Sequence, residues 1–178
     1  MKRCRNLTRF AMLLSIVFII GNGSPQAQEE ETDVKGRIPF DFPNAPESKI
    51  EINLNKKLIS VFSAAADIGE KTNELFEMLD GVYVRGYTNE VANLDEMIRY
   101  YEATLKKQEW EVIAKIKEEH EAVHIRVLFD LSGEIVHGVF VMIAEEEQTI
   151  LVNIFGQIDP EKVGELVRHL AEAFNLEW

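Results

Sequence analysis

The chain has 178 residues, a single cysteine, and 31 acidic side chains against 19 basic ones, for a net charge of −12. That excess of negative charge repels DNA, RNA and anionic lipid, and no basic stripe interleaved with aromatics offsets it. One cysteine excludes an internal disulfide, so the hydrophobic core alone has to hold the fold.

The first segment is a leader. MKRCRNLTR is basic and lacks acids, FAMLLSIVFII is an unbroken apolar run, and GNGSPQAQ is small and polar. This is the layout of a secretory signal peptide over residues 1–27. The apolar run is shorter than the roughly 20 residues that a membrane-spanning helix needs. Cleavage after Ala27 places Pro25 at the third position back, cleavage after Gly23 offers a Gly-x-Gly, and retention as an anchor is the alternative to both. Cys4 lies before the apolar run, not after it where a lipid-modified cysteine would stand. The expected mature chain is periplasmic or extracellular, without a membrane span. It has no cysteine, and so no Cys–His nucleophile. It carries 15 basic against 31 acidic residues, a net charge of −16.

Residues 28–48 read as a flexible tether, with prolines, a block of acids and no sustained periodicity. Phe40 and Phe42 within it are candidates for docking on the domain, which is expected over residues 49–178. KIEINLN alternates, with Ile50, Ile52 and Leu54 on one side, as a half-buried strand does. Leu58, Val61, Phe62 and Ala65, then Leu75, Phe76 and Leu79, fall at helical spacing and predict two short helices broken near Gly69. VYVRGYT, Val82 to Thr88, is the next strand. Asn93 and Glu96 form a capping box ahead of a helix with Leu94, Met97, Ile98, Tyr101 and Leu105 on its apolar stripe.

After Trp110 the period falls from about 3.6 to 2. Val112, Ala114 and Ile116 alternate with Ile113, Lys115 and Lys117, and Val123, Ile125, Val127 and Phe129 alternate with His124, Arg126 and Leu128. Ile135 to Ala144 is apolar on both faces, like a central strand, and Thr149 to Ile158 alternates again. Four consecutive strands with short connections predict a meander. Asp159 and Pro160 open a last helix that buries Val163, Leu166, Val167, Leu170 and Phe174. The order β-α-α-β-α-β-β-β-β-α implies an α+β fold: an antiparallel sheet of five to six strands with helices packed on it in a two-layer sandwich. Ile113, Leu128, Leu151 and Phe155 point away from the assumed core face. Either the helices of residues 56–79 cover them, the preferred reading, or a partner does.

One motif invites a catalytic reading. HEAVH, from His120 to His124, has the His-Glu-x-x-His spacing of zinc hydrolases. There a helix brings both imidazoles to one ion and the glutamate activates its water. On a strand, four residues span about 13 Å and the two histidines cannot share an ion. EVIAKIK and AVHIRVLF alternate strictly and are rich in Val and Ile, so EEHE is read as a hairpin turn and the motif as coincidental. A third ligand would have to come from Glu161, Glu165 or Glu172 of the last helix. No metal or cofactor is expected. The chain has no phosphate-binding Gly loop, no Gly-x-Ser-x-Gly elbow and no calcium loop, and His137 and His169 are isolated. Arg85, His124, Arg126 and Asn153 share the outer sheet face and are the weak candidates for a polar binding patch.

KIEINLNKKL, LDGVYVRGYT, YYEATLKKQEWEVIAKIKEE and ILVNIFGQIDPEKVGEL, in that order, resemble the bacterial domain-of-unknown-function family 4252 over about Lys49 to Leu176. The resemblance implies a small exported or envelope-attached domain without established catalytic activity. It also implies that HEAVH lies in a hairpin. The leading expectation is a non-enzymatic interaction module. It would bind an envelope protein, or associate with itself, through the outer sheet face. The alternatives are a zinc hydrolase using His120, Glu121 and His124, and an envelope-stress sensing domain acting on a membrane partner.

Overall fold

A computed structural model of the chain describes residues 34–43, 45–65, 70–89, 94–119 and 121–174. The elements follow the expected order: β1 (Ile50–Asn55), α1 (Lys56–Ala65), α2 (Glu70–Glu77), β2 (Leu79–Thr88), α3 (Leu94–Lys107), β3 (Glu111–Lys117), β4 (Glu121–Phe129), β5 (Val136–Glu145), β6 (Gln148–Ile158) and α4 (Pro160–Phe174). Among the described residues the strands form one antiparallel six-stranded sheet in the order β1-β2-β6-β5-β4-β3. The fold is therefore α+β, and β3 to β6 are the meander that the period-2 pattern predicts. Asp33–Val163 make up one compact unit that holds the whole sheet, and α4 from Gly164 onward belongs to a second. His120, Asn93 and the leader lie outside the described residues, as do the side chains of Leu170 and Phe174.

Local chemistry sets the element ends. The Asn55 Oδ1 accepts the Leu58 N–H at 3.0 Å and starts α1. Asp159 Oδ1 accepts the Glu161 N–H at 2.8 Å and caps α4, with Pro160 at the first helical position. At the end of α3, Glu109 sits at φ 63°, the left-handed conformation that closes helices. There the Trp110 N–H reaches the Leu105 carbonyl at 3.0 Å. That reversal drops the Trp110 ring into the interior, where it is 4% exposed.

The pairing register sorts the strand residues into two faces. One carries rows such as Ile52–Val84–Val152–Val141–Ile125–Ala114. Its central members, Val84, Val152, Val141 and Ile125, are all buried. The second face carries the rows Asn53–Tyr83–Asn153–Phe140–Arg126 and Glu51–Arg85–Leu151–Met142–His124–Lys115. This is the face expected to point outward.

The second face is covered by α3 and by residues 34–42, not by the helices of residues 56–79. β2 and β3 run in the same direction with three strands between them, so the chain must cross the sheet to join them. The crossover is α3. Its Met97, Tyr101 and Leu105 pack with Tyr87, Phe140, Met142 and Leu151 of the sheet, and Leu128 is packed against the same cluster. The helix α1 lies instead against β1 and β2, and Ser63 on it donates to Asn73 of α2 at 2.5 Å.

The register of β3 also departs from strict alternation. A bulge between Val112 and Ala114 places Val112 opposite Arg126 on the second face, while Ala114 stands opposite Ile125 on the first. Ile113 is the extra residue. A bulge turns one side chain away from the period-2 pattern and twists the strand. Val112 and Ile113 are left 44% and 47% exposed.

Candidate functional site

The second face is where the sequence places its candidate binding residues, and Asn153 stands at its centre. It lies on β6, between Tyr83 and Phe140 on the neighbouring strands, and is fully buried. A buried amide left without partners costs about 1–3 kcal/mol per lost hydrogen bond. Here the partners come from more than a hundred residues earlier in the chain. The Asn153 Oδ1 accepts the Ile38 N–H at 2.8 Å. The Nδ2 donates to the Gly36 carbonyl at 3.0 Å and lies 3.5 Å from the Val139 carbonyl.

These bonds fasten residues 34–42 across the sheet as a strap. Ile38 is fully buried and Phe42 is 8% exposed. Phe40 meets Tyr101 edge-on at 5.8 Å and Phe140 at 6.5 Å, and Phe42 lies 5.4 Å from Tyr100. Gly36 makes the crossing: its φ is +85°, and a Cβ there would stand 1.9 Å from the His137 carbonyl oxygen. Gly138 leaves the matching gap, since a Cβ on it would meet Trp110 at 2.5 Å and the Gly36 carbonyl oxygen at 2.6 Å. Phe40 and Phe42, the docking candidates within the tether, are thus part of the packed interior.

The other candidates are engaged in the same way or lie apart. Arg85 holds the Asn53 Oδ1 at 2.9 Å and the Glu51 carboxylate at 3.1 Å, and its guanidinium sits 5.2 Å over the Phe40 ring. Arg37 of the strap stacks 5.3 Å over Tyr83. The two arginines, each a cation on an aromatic face, tie strap and sheet together, one from each side of the contact. His124 faces α3, with Nδ1 3.4 Å from Glu102 Oε1. Arg126 stands between Phe140 and Val112. From Arg85 on β2 to His124 on β4 is three strand spacings, roughly 14 Å. The four side chains share a face as expected, but they do not converge on one small ligand.

Glu121–Phe129 is a strand through the second half of HEAVH. The helical convergence that a His-Glu-x-x-His site depends on is therefore missing from Glu121 to His124, and His124 lies opposite Met142 and Lys115 in the ladder. Among the described residues no three His, Cys, Asp or Glu side chains gather as a cation site.

Two clefts open on the surface. One, of about 420 Å³, is lined by Lys56, Glu74, Glu77, Met78, Asp80 and Gln157. Lys56 and Asp80 close an ion pair across it at 2.8 Å. The other, of about 470 Å³, lies at the start of α3 beside Asn89, Arg99 and Thr149. Both are polar. Among the described residues no helix is long and apolar enough to cross a membrane.

Phe40 and Phe42 were read as docking candidates, but the strap's crossing at Gly36 and its fastening to Asn153 are the part of this site that sequence reasoning missed. Its signals were Gly36 followed by alternating Ile38, Phe40 and Phe42, and one asparagine in the middle of an otherwise apolar strand.

Comparison with known proteins returns no matching curated protein and no matching solved structure. Residues 46–166 match the family described as Domain of unknown function (DUF4252). With most of its length inside that match, and with the sheet and α1 to α3 falling within it, the chain belongs to the DUF4252 family.

Proposed function

We propose that this chain is a non-catalytic binding module of the bacterial cell envelope, exported by its N-terminal leader. The observation that carries the reading is the use made of the polar side chains on the second face. Asn153 and Arg85 hold the strap and the edge strand, and His124 faces Glu102. They stabilise the fold and do not ring a cavity. Meanwhile large apolar side chains stand exposed around the two outer strands: Leu58 and Val61 on α1, Val112 and Ile113 on β3. Exposed apolar groups at sheet margins suit contact with another protein. With its own residues filling the second face, the module would meet a partner at those margins.

The test is the zinc content and peptidase activity of the chain purified without a histidine tag, together with its location in fractionated cells. Folded, metal-free protein recovered outside the cytoplasm is the expected result. One tightly held zinc per chain, lost together with peptide hydrolysis in His124→Ala, would replace this reading with the hydrolase. Recovery in the cytoplasm would remove the envelope from it.

A further inference from the structure

The two outer strands of the sheet are built differently. An edge strand presents a row of backbone N–H and C=O groups that can pair with another strand, and proteins that stay apart guard such edges with lysines, bulges or prolines. β3 is guarded twice, by its bulge between Val112 and Ala114 and by Lys115 and Lys117 beyond it. Pairing the regular part of β3 with a second copy sets lysine against lysine, whether the pair is centred on Lys115 or on Ile116.

β1 carries no such guard. Its sequence is IEINLN, with no proline, no lysine and no break in register along its whole pairing with β2. Its one charged side chain, Glu51, is already held by Arg85 at 3.1 Å. Ile50, Ile52 and Leu54 are only half-buried, whereas their neighbour Val84 on β2 is buried. The apolar face therefore runs out unfinished at this edge. α1 packs against β1 and β2 and adds Leu58 and Val61, 42% and 59% exposed, on the same flank.

We propose that β1 pairs antiparallel with β1 of a second copy, centred on Ile52, so that two sheets join into one continuous sheet. The register is self-complementary. Ile52 meets Ile52, Ile50 meets Leu54, Glu51 meets Asn53, and Lys49 meets Asn55. Slipping the centre to Glu51 sets two glutamates against each other, and moving it to Asn53 leaves Ile50 opposite Lys56, where the strand has already ended. Charge and strand length thus select the Ile52 register. The inference stands apart from the envelope reading, because edge pairing is compatible with any activity of the chain.

A six-residue edge buries little area, so the dimer is expected to be weak and reversible, in the micromolar to millimolar range. Sedimentation equilibrium on the purified chain, from about 1 μM to about 1 mM, is the first measurement. Asn53→Asp is the discriminating variant. Asn53 is exposed, and an aspartate keeps the acceptor that Arg85 uses. It gives up the Nδ2 bond to Glu51 of its own chain at 3.0 Å, a loss common to monomer and dimer, and it also faces Glu51 of the other copy twice per dimer. Association should weaken by about twofold to thirtyfold, with circular dichroism unchanged. In a Cys4→Ser background, Ile52→Cys should crosslink with a short bismaleimide and Ile116→Cys on β3 should not. A chain that stays monomeric to about 1 mM overturns the proposal. So does a dimer that is indifferent to Asn53→Asp, or one that crosslinks through Ile116→Cys instead.

Discussion

Replacing Asn153 should release the strap before it unfolds the domain. In Asn153→Ala two hydrogen bonds vanish, at 2.8 Å to the Ile38 N–H and 3.0 Å to the Gly36 carbonyl, and both groups are left without their partner. At about 1–3 kcal/mol for each unsatisfied buried group, the strapped state loses roughly 2–6 kcal/mol. Burial of Ile38 and Phe42 still favours the docked strap, so the loss is expected as local opening and not as global unfolding. Even the lower figure, about 2 kcal/mol, speeds local opening by roughly thirtyfold. Native-state amide exchange read by mass spectrometry should show that loss of protection in residues 36–42. β5 and β6 should retain most of theirs.

The ordering of two variants tests the argument more sharply than either alone. Asn153→Asp keeps an acceptor for Ile38, yet it turns a carboxylate oxygen toward the Gly36 and Val139 carbonyls. It should be worse than alanine at neutral pH. Its folded pKa would be raised, so the deficit should shrink as pH falls and the acid protonates, since the neutral form can donate to Gly36. If strap protection in Asn153→Ala stays within about threefold of wild type, or if aspartate is tolerated better than alanine at pH 7, then the amide does not hold the strap and the reasoning fails.

Other positions give independent checks. Gly36→Ala should free the strap as Asn153→Ala does, because its Cβ would collide with the His137 carbonyl. Gly133→Ala, at φ +76° with open space around it, should cost only the backbone strain of about 1 kcal/mol in urea unfolding. Glu109→Gly relieves a left-handed glutamate and should stabilise the domain by about 0.5–1 kcal/mol, read as a raised urea midpoint. Asp130 accepts from the Ser132 hydroxyl and the Ile135 N–H, which hold its pKa down at about 2. A lowered acid pKa contributes stability that is present above its unfolded value near 3.8 and lost as pH falls toward about 2. Asp130→Asn should flatten that acid limb in a pH series of unfolding curves. Burial raises the pKa values of Tyr101 and Tyr87. Spectrophotometric titration should therefore find two of the four tyrosines resisting ionisation above pH 10, with the stability they confer lost as pH rises further.

What could be read from the residues was what neighbours in the chain decide. The alternation of Ile50, Ile52 and Leu54 and the Asp159–Pro160 start of α4 are local signals, and the structure bears them out; the break expected near Gly69 lies outside the described residues. Which helix covers which face is not a local matter. It follows from β2 pairing with β6, some seventy residues away, which sends α3 across the sheet to reach β3. Leu128, Leu151 and Phe155 were sorted to the right face and Ile113 was not, and the cover was assigned to the wrong helices because strand order was unknown. The bulge at Ile113 was invisible for a related reason. A one-residue insertion leaves no mark in a run where nearly every side chain suits a strand.

The strap shows why polar residues on this face read as a binding patch in the sequence. An asparagine in the middle of a buried strand has to be satisfied, and from sequence alone its partner can as easily be a ligand as the chain itself. Here the partner is backbone, and backbone carries no side-chain signature. Only the pairing of Gly36 with Gly138, where neither position has room for a Cβ, marks the crossing in the residue types. With α3 and the strap sealing that face, the partner contact proposed above falls to the margins of the sheet. There the two edges differ: β3 meets another strand with lysines and a kink, and β1 meets it with three half-buried apolar side chains in unbroken register. Selection for solubility alone would be expected to guard both edges, and a β1 without lysine, proline or bulge fits the pairing with a second copy proposed above.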